Sequence, residues 1–287
     1  MKTLGLLHPG QMGAAFGAQF VSGGARVLWC PHGRSDATRR RAEAAGLRAA
    51  ELPELIGTSQ VIVSLVPPAA AEESVDAVLR HGFTGVFVEA NAIRPERLHR
   101  MRARLAAGGV LTIDACVIGS APPAAIPTRF YLAGEEDACA LVARLLPPDV
   151  VDSRFLGEQV GSASALKISQ TITQKTTRII SALGHALAAQ YGVGDHLGEV
   201  ARSFTHPAAD PGKYPELAQR AWRWAPEVED AAAALGEAGL PPGVAAEAAQ
   251  ALGRWARFKD GEDCDIATVL GALHDEKQLP PPDQPDG

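Results

Sequence analysis

The stretch GLLHPGQMG, residues 5–13, decides how the first half of this chain is interpreted. It follows the apolar run Thr3–Leu7 and precedes Gln11–Ser22, whose composition predicts a helix. Gly10 and Gly13 allow a tight turn and a close approach of the helix to the strand. The position at which such turns usually have their first glycine is taken by His8, which is followed by a proline. The segment therefore predicts a strand, a turn and a helix in succession.

The same alternation continues through residues 1–156. Apolar runs predict strands at Thr3–Leu7, Arg26–Trp29, Gln60–Val66, Val86–Glu89, Val110–Asp114, Phe130–Ala133 and Val150–Phe155. Helical composition falls between them at Gln11–Ser22, Ser35–Ala45, Ala70–Arg80 and Pro95–Ala106. The strands are apolar throughout, as is typical of a parallel sheet covered on both faces. We therefore predict an α/β, Rossmann-like, doubly wound N-terminal domain over residues 1–156.

The pattern changes after residue 156. Gly161–Tyr191 contains no proline and predicts one long helix, and the alanine- and leucine-rich remainder predicts further helices with breaks at Pro207–Pro215 and at Pro241-Pro242. We expect an all-α C-terminal domain over residues 157–278. The tail LPPPDQPDG, residues 279–287, has too little apolar content to pack and is predicted to be disordered.

Composition excludes several classes of protein. A net charge of -6 gives the 287-residue chain no global field to attract nucleic acid or an anionic membrane. Apolar runs long enough to span a bilayer are absent, and Gly10 and Gly13 interrupt any signal-peptide core. The four cysteines are widely separated and have no metal-ligand spacing, so we expect a reduced, cytoplasmic protein without a bound metal.

The turn after the first strand has the context of a dinucleotide site. Gly10 would let the backbone approach a pyrophosphate, which would then bind the free N–H groups and positive dipole end of the following helix. The predicted cofactor contacts in this turn are His8, Pro9, Gly10, Gln11, Met12 and Gly13. The alternative is an ordinary strand-to-helix turn with two packing glycines.

The segment after the second strand favours NADP(H) over NAD(H). NAD enzymes usually place an acidic residue there for the ribose hydroxyls, whereas residues 30–35 read CPHGRS and contain no acid. Arg34 can pair with a 2′-phosphate, and Ser35 adds a hydroxyl donor. The alternative is that Arg34 is a solvated loop residue and Asp36 is the ribose ligand.

Several stretches together resemble the β-hydroxyacid dehydrogenase superfamily, which includes 6-phosphogluconate and 3-hydroxyisobutyrate dehydrogenases. The stretches are the glycine turn; Val66-Pro67-Pro68; EANAIRP at 89–95, similar to D-x-S-T-x-x-P; DACVIGS at 114–120, similar to D-A-P-V-S-G-G; and GSASALK at 161–167, similar to G-x-x-x-x-x-K. The helical half, with AWRW at 221–224, looks more like a poorly characterised 6-phosphogluconate dehydrogenase-like branch that also has His-Pro-Gly in its turn.

This resemblance implies roles for particular residues. It implies cofactor contacts at Val66, Pro67, Pro68 and Asn91, a substrate loop containing Cys116, Ile118, Gly119 and Ser120, and a catalytic lysine at Lys167. It also implies a homodimer formed through the helical domain. Ile118 replaces a serine or threonine of the family loop, which disfavours the small hydroxyacids as substrates.

Lys167 is a candidate proton donor or base because partial burial would lower its pKa. Thr171, Gln174 and Arg178 follow Lys167 at helical spacing on one stripe, with Lys175 near its edge. Thr171 is a candidate hydrogen-bond donor to the reacting oxygen, and Lys175 or Arg178 a candidate ligand for a substrate anion. The other interpretation of this stripe is a solvated face.

Three functions remain open on the sequence. The first is an NADP(H)-dependent oxidoreductase that acts on a carbonyl or hydroxyl carbon of a small organic substrate. The second is an NADPH-dependent imine reductase, against which Lys167 argues because relatives with that activity commonly have another residue there. The third is an NADP-binding protein without catalysis.

Overall fold

The computed structural model describes residues 2–203, 210–237, 239–259 and 264–274. Contacts within the chain divide it into two units, Met1–Ile168 and Ser169–Gly287. The first unit contains the sheet, and the division falls later than the boundary expected from the sequence at residue 156. The predicted disordered tail 279–287 lies outside the described residues.

The first unit is an eight-stranded sheet flanked by helices. Its strands are β1 Thr3–Leu6, β2 Arg26–Trp29, β3 Arg48–Ala49, β4 Val61–Ser64, β5 Val86–Glu89, β6 Leu111–Ile118, β7 Thr128–Ala133 and β8 Val151–Phe155. Its helices are α1 Gln11–Ser22, α2 Asp36–Ala44, α3 Leu52–Thr58, α4 Ala71–Arg80, α5 Pro95–Ala107, α6 Glu136–Ala143 and α7 Ser162–Thr171. The last three residues of α7 belong to the second unit. The strand order is β3-β2-β1-β4-β5-β6-β7-β8. Neighbouring strands are parallel except for β6 and β7, so the predicted doubly wound α/β fold is confirmed.

Alternate residues of the central strands pack into two separate apolar clusters. In β4, Val61 and Val63 belong to one cluster with Phe16 and Phe130. Ile62 of the same strand belongs to the other cluster, together with Phe87. Because successive side chains of a strand point to opposite faces, both faces of the sheet are covered. This covering explains the continuously apolar strands in the sequence.

The structure adds elements that the sequence pattern did not predict. β3 has only two residues, and α3 and α6 are short helices in segments without a clear period. The predicted strand Val110–Asp114 continues to Ile118, because residues 114–118 pair with β7. The segment expected to be a substrate loop is therefore mostly strand.

The second unit is helical. After α7, its helices are α8 Thr177–Gln190, α9 Gly194–Ser203, α10 Tyr214–Glu237, α11 Gly243–Gly253 and α12 Ile266–Gly271. Trp224, Val228 and Trp255 lie in its apolar core. The Trp255 indole N–H donates to the carbonyl of Val269 at 2.7 Å and so connects the core to α12.

A π-helical turn, Ile172–Thr176, joins α7 to α8. Such a turn inserts an extra residue into the 3.6-residue period and rotates the residues that follow it. Thr171, Lys175 and Ile179 are consequently all buried, whereas Gln174 is exposed. The predicted stripe that continues from Thr171 to Gln174 and Arg178 is thus wrong after the π turn, because it assumed a regular α-helix.

Among the helices that the structure describes, none has both the length and the hydropathy needed to cross a membrane.

Candidate nucleotide-binding and catalytic site

The candidate site of the sheet unit lies at the carboxyl ends of β1, β4, β5 and β6. These four strands are mutually parallel, so their carboxyl ends share one edge of the sheet. From β1 the chain builds β2 and β3 on one side and then crosses to β4 on the other side. The point between β1 and β4 at which the direction reverses is where open α/β sheets usually bind ligands.

The glycine turn, residues 8–13, lies at this reversal point. A Cβ at Gly13 would lie 2.2 Å from the carbonyl oxygen of His8, so the close packing of α1 on the turn requires glycine. Gly10 is the N-cap of α1 and provides no side-chain cap, and the first turn of α1 has no acidic residue. The first N–H groups of α1 are thus left to an anion, as at other helix N-termini that bind phosphate.

His8 supplies a neutral imidazole beside this turn. Burial, with the nearby positive charges of Arg34 and Arg41, lowers its pKa to about 4. Its Nδ1 is buried and has no hydrogen-bond partner within the described residues. His8 is therefore uncharged at neutral pH, and its ring also limits the space at Gly10, where a Cβ would lie 3.1 Å from the imidazole.

Arg34 reaches back from the end of β2 to the glycine turn. Its Nη2 donates to the carbonyl of Leu7 at 3.3 Å. Ser35 is the N-cap of α2, and its Oγ accepts from the N–H of Thr38 at 3.3 Å. The Ser35 hydroxyl thus has a structural task besides the predicted contact with the cofactor. Asp36, the alternative ribose ligand, is exposed at the start of α2.

Asn91 connects the loops after β4 and β5. Its Oδ1 accepts from the backbone N–H of Val66 at 2.8 Å, and its Nδ2 donates to Oγ of Ser64 at 2.9 Å. The residue is buried, with 4% of its surface exposed. These contacts make Asn91 a positioning residue for the Val66–Pro68 segment.

Arg97 in α5 holds the other end of that segment. Its Nη2 donates to the carbonyl of Pro68 at 2.7 Å, and its Nε donates to Glu72 in α4 at 2.6 Å. The ion pair with Arg97 lowers the pKa of Glu72. The segment after β4 is therefore tied down from two helices.

A row of polar side chains crosses the sheet just below this edge. Ser64, Glu89 and Asp114 occupy paired register positions in β4, β5 and β6. The Oε1 of Glu89 accepts from the N–H of Asn91 at 3.0 Å. Burial nevertheless raises the pKa of Glu89 to about 8, so this carboxyl group is mostly protonated at neutral pH.

Asp114 anchors the start of α7. Its carboxylate accepts hydrogen bonds from the N–H groups of Gly161, Ala163 and Ser164, and Oγ of Ser164 donates to it at 2.7 Å. Burial raises the pKa of Asp114, while these hydrogen bonds oppose the increase. A negative charge at a helix N-terminus is favourable, so Asp114 fixes α7 against β6.

Lys167 extends from α7 to the end of β6. Its Nζ donates to the carbonyl of Val117 at 2.9 Å. Burial lowers its pKa below the usual lysine range, and within the described chain it forms no ion pair. Cys116 is close enough to Lys167 that a charged thiolate would affect the lysine, but burial raises the pKa of the Cys116 thiol to about 12. Lys167 is thus a partly buried amine that releases its proton more readily than an exposed lysine.

The predicted substrate residues around β6 fall into two groups. Cys116 is buried in a small cluster with Ala133 and Ala163, so its side chain packs in the interior and not on a binding surface. Ile118 is half-buried at the end of β6, and Gly119 and Ser120 are exposed beyond it. Gly119 has φ +130°, a conformation that favours glycine, and Thr128 donates to the Ser120 carbonyl at 2.6 Å.

The predicted residues of the helical unit have different environments. Thr171 is fully buried. Lys175 forms a buried ion pair with Glu227 and lies 5.8 Å from the centre of the Trp224 ring, so the anion that it holds is Glu227. Arg178 is half-buried, 5.7 Å from the same ring.

Sequence reasoning missed Glu89, Arg97, Asp114 and Glu227. The sequence does contain a signal for Glu89, which is an acidic residue at the end of the apolar run VFVE, residues 86–89. The partners of Asp114 and Glu227 lie about fifty residues away in the sequence, and neither pairing follows from local spacing.

Comparison with known families agrees with this geometry. Residues 3–148 match the NAD binding domain of 6-phosphogluconate dehydrogenase. Residues 188–255 match a domain of unknown function, DUF1932.

Individual relatives are distant. An uncharacterized 28.5 kDa protein of Methanothermus fervidus is 25% identical over 187 residues, which cover 64% of this chain and 70% of that protein. The 3-hydroxyisobutyrate dehydrogenase of Salmonella typhimurium has a TM-score of 0.72 at 20% identity, covering 94% of this chain and 99% of its own. An imine reductase of Myxococcus stipitatus, solved with NADP+, has a TM-score of 0.61 at 16% identity, covering 94% and 99%. At these identities the two solved structures show the fold alone.

The family match covers half of the chain and includes the glycine turn, the segment after β4 and Asn91. This chain therefore belongs to the family defined by the NAD-binding domain of 6-phosphogluconate dehydrogenase, in a poorly characterised branch with its own helical C-terminal half.

Proposed function

We propose that this chain is a cytoplasmic NADP(H)-dependent oxidoreductase that transfers hydride between the nicotinamide and a carbonyl or hydroxyl carbon of a small organic substrate. The observation that carries the proposal is the partly buried Lys167, whose Nζ donates to the Val117 carbonyl at 2.9 Å. That carbonyl lies near the carboxyl end of β6, on the edge that also carries the glycine turn.

The residues at this edge fit a dinucleotide. Gly13 keeps the turn free of a Cβ that would meet the His8 carbonyl at 2.2 Å, and the first turn of α1 presents uncapped N–H groups. These groups would hold the pyrophosphate. Asn91 and Arg97 would keep the Val66–Pro68 segment beside the nicotinamide half, since they bind its first N–H and its last carbonyl.

The charges beside the turn support NADP(H) as the preferred form. Arg34 and Arg41 both act on His8 and lower its pKa, so two guanidinium groups lie near His8. A 2′-phosphate would be matched there by Arg34, whereas a ribose hydroxyl would require an acceptor such as Asp36.

The bound cofactor would supply or accept the hydride, and Lys167 would handle the proton. In reduction, the Lys167 ammonium group gives its proton to the substrate oxygen as that oxygen gains an electron pair. In oxidation, the neutral amine takes the proton of the hydroxyl group. Burial lowers the pKa of Lys167, so the neutral amine forms more readily than it does in an exposed lysine.

Ile118, Gly119 and Ser120 would contact the substrate beside Lys167. The isoleucine donates no hydrogen bond, so the substrate would present an apolar group there and would bind polar atoms through Ser120 and the backbone. Thr171 remains the candidate donor to the reacting oxygen, by resemblance. Lys175 is omitted because Glu227 already pairs with it.

Titration with NADPH and NADH tests the cofactor assignment. We expect NADPH to bind more tightly, and Arg34→Glu to weaken NADPH binding much more than NADH binding. Arg40→Glu, an exposed arginine of α2, is the matched control and should change neither. Equal losses for both cofactors with Arg34→Glu would contradict the preference for NADP(H).

A screen of carbonyl and imine substrates with NADPH tests the chemistry. Turnover of carbonyls that disappears in Lys167→Ala, with NADPH binding retained, would support the proton role. Turnover of imines alone would support the imine reductase alternative. Tight NADPH binding without turnover of either class would favour a binding protein.

We also propose a homodimer formed through the helical unit. Exposed apolar side chains of this unit support the proposal: Ile180, Tyr191, Val193 and Val200. Light scattering of the eluting protein should give about twice the monomer mass of 30.0 kDa. A mass equal to the monomer at all concentrations would contradict it.

A further inference from the structure

The helical unit contains a cavity of about 710 Å³ between the start of α8 and the first half of α10. Arg178 lies in its wall with Tyr214, Leu217 and Trp224. This volume is within the range of small-molecule sites. Apolar surface from Leu217 and Trp224 lies beside charged and polar side chains, which are most of the residues in the wall.

The cations of the cavity differ in their partners. Lys213 Nζ lies 3.0 Å from Asp210, and Arg220 lies 2.5 Å from Glu216, so each of these cations is matched by a carboxylate. Arg178 has no carboxylate within ion-pair distance among the residues that the structure describes. The cavity therefore has one surplus positive charge.

The guanidinium group of Arg178 lies against an aromatic face. Its central carbon is 5.7 Å from the centre of the Trp224 ring, and Trp224 is itself buried. Stacking on a ring uses the face of the guanidinium group and leaves the N–H groups at its edge able to bind a planar anion. Burial, together with the charge of Arg220, lowers the pKa of Arg178, so an anion at this position would be stabilising.

Tyr214 adds a buried hydroxyl group to the same wall. Only 1% of its surface is exposed, and its Oη has no hydrogen-bond partner in the part of the chain that the structure describes. The ring of His185 packs edge-on against it at 5.5 Å and holds its orientation. A buried hydroxyl without a partner is costly, and a ligand oxygen would remove that cost.

We propose that this cavity is a binding site for a small organic carboxylate. Arg178 pairs with the carboxylate, Tyr214 donates a second hydrogen bond, and Leu217 and Trp224 contact the apolar body of the ligand. One surplus positive charge matches a monoanion, whereas a phosphate dianion would bring an uncompensated charge into a partly buried site. The inference uses only the helical unit and does not depend on the proposed redox function.

Calorimetric titration of the full chain with benzoate, without cofactor, tests the site. We expect saturable binding of benzoate, weaker binding of acetate because it lacks an apolar body, and weaker binding of inorganic phosphate. Arg178→Gln should lower the affinity for benzoate by about tenfold or more, as expected for a hydrogen bond to a charged group. Tyr214→Phe should lower it by about two- to tenfold, as expected for a neutral donor.

Arg202→Gln is the matched control, because Arg202 is an exposed arginine of α9 outside the cavity wall. It should bind benzoate like the unchanged chain, and circular dichroism should show that every variant is folded. Failure of benzoate and acetate to bind would overturn the proposal. Equal losses in Arg178→Gln and Arg202→Gln would also overturn it, because they would indicate a general charge effect.

A glycine variant separates this inference from the cofactor proposal. Gly13→Ala should abolish NADPH binding and leave benzoate binding unchanged. Loss of benzoate binding in Gly13→Ala would contradict an independent site in the helical unit. Benzoate binding without any NADPH binding in the unchanged chain would refute the cofactor proposal alone.

Discussion

Two lysines eight positions apart, the partly buried Lys167 and the buried Lys175, have different surroundings in the two units. Lys167 donates to a neutral carbonyl, that of Val117, and burial lowers its pKa. Lys175 forms an ion pair with Glu227 and lies beside the face of Trp224. A cation with a carboxylate partner keeps its proton, whereas a desolvated amine with only a carbonyl partner can release it. The comparison supports the proposal that Lys167 transfers the proton and that Lys175 is a structural residue.

The surroundings of buried acidic residues also differ between the two units. Glu89 in the sheet has its pKa raised to about 8 by burial and is mostly protonated at neutral pH. Glu227 in the helical unit is paired with Lys175. Glu89 is thus an uncharged acid next to the edge that carries the candidate site, whereas Glu227 is the partner of a cation.

Replacement of Lys167 should have the largest effect. In Lys167→Met we expect kcat to fall by about 10²- to 10⁴-fold, the usual contribution of a positioned acid or base. The Kd for NADPH should stay unchanged. The thermal unfolding temperature should stay the same or increase slightly, because a polar group is removed from a partly buried position. Steady-state kinetics on a substrate from the screen, with a parallel NADPH titration, measures both.

Lys167→Arg is the matched control for charge. It keeps a cation but does not release its proton near neutral pH, so it should be as inactive as Lys167→Met. Activity close to that of the unchanged chain in Lys167→Arg would mean that the charge, and not proton transfer, is the contribution of Lys167.

Replacement of Lys175 should lower the free energy of unfolding. Lys175→Met leaves Glu227 without its ion-pair partner at a site where only 15% of the Glu227 side chain is exposed. Removal of one partner from a buried pair costs about 3 to 5 kcal/mol, and denaturant unfolding measures this loss. The double variant Lys175→Met with Glu227→Leu should recover most of it. If Lys175→Met alone were as stable as the unchanged chain, Lys175 would have no structural role, and the contrast between the two lysines would be refuted.

Stability should depend on pH through Glu89. Its folded-state pKa of about 8 lies above the ordinary value of 4.5, so between these values the folded state holds a proton that the unfolded state releases. The contribution of Glu89 is thus fully present below pH 4.5 and is lost as the pH rises to about 8. In this window the slope approaches about 1.4 kcal/mol per pH unit.

Glu89→Gln isolates this effect because glutamine has the same shape and no charge. The free energy of unfolding of this variant should fall less with pH than that of the unchanged chain between pH 5 and 8. Parallel curves for the two proteins would show that Glu89 is ionised in the folded state.

The smallest expected effect comes from the anchor of α7. Ser164→Ala removes the hydroxyl group that donates to Asp114 at 2.7 Å but leaves the three backbone donors. We expect a loss of about 1.5 to 3 kcal/mol, as for a hydrogen bond to a charged group, in denaturant unfolding. Asp114→Asn should cost more than Ser164→Ala, and the reverse order would contradict the anchoring role.

Much of the fold and part of the site follow from local sequence. The apolar runs predict the strands because burial on both faces excludes polar residues, and Gly13 predicts the turn because a Cβ there would meet the His8 carbonyl. The stripe from Thr171 to Arg178 failed because the π turn at Ile172–Thr176 changes the helical period, and nothing in the local pattern marks this change. Lys175 was assigned to a substrate anion because its partner Glu227 is distant in sequence and was not visible to spacing arguments.

The titration of Lys167 tests the central claim most directly and needs neither substrate nor cofactor. Lysine labelled with carbon-13 at Cε gives one NMR signal per side chain, and Lys167→Met assigns the signal of Lys167 by its loss. The structure predicts that this signal titrates clearly below the ordinary lysine pKa of about 10.4. If the Lys167 signal titrates at that ordinary value, it is an ordinary charged lysine, and the proposed proton role is refuted.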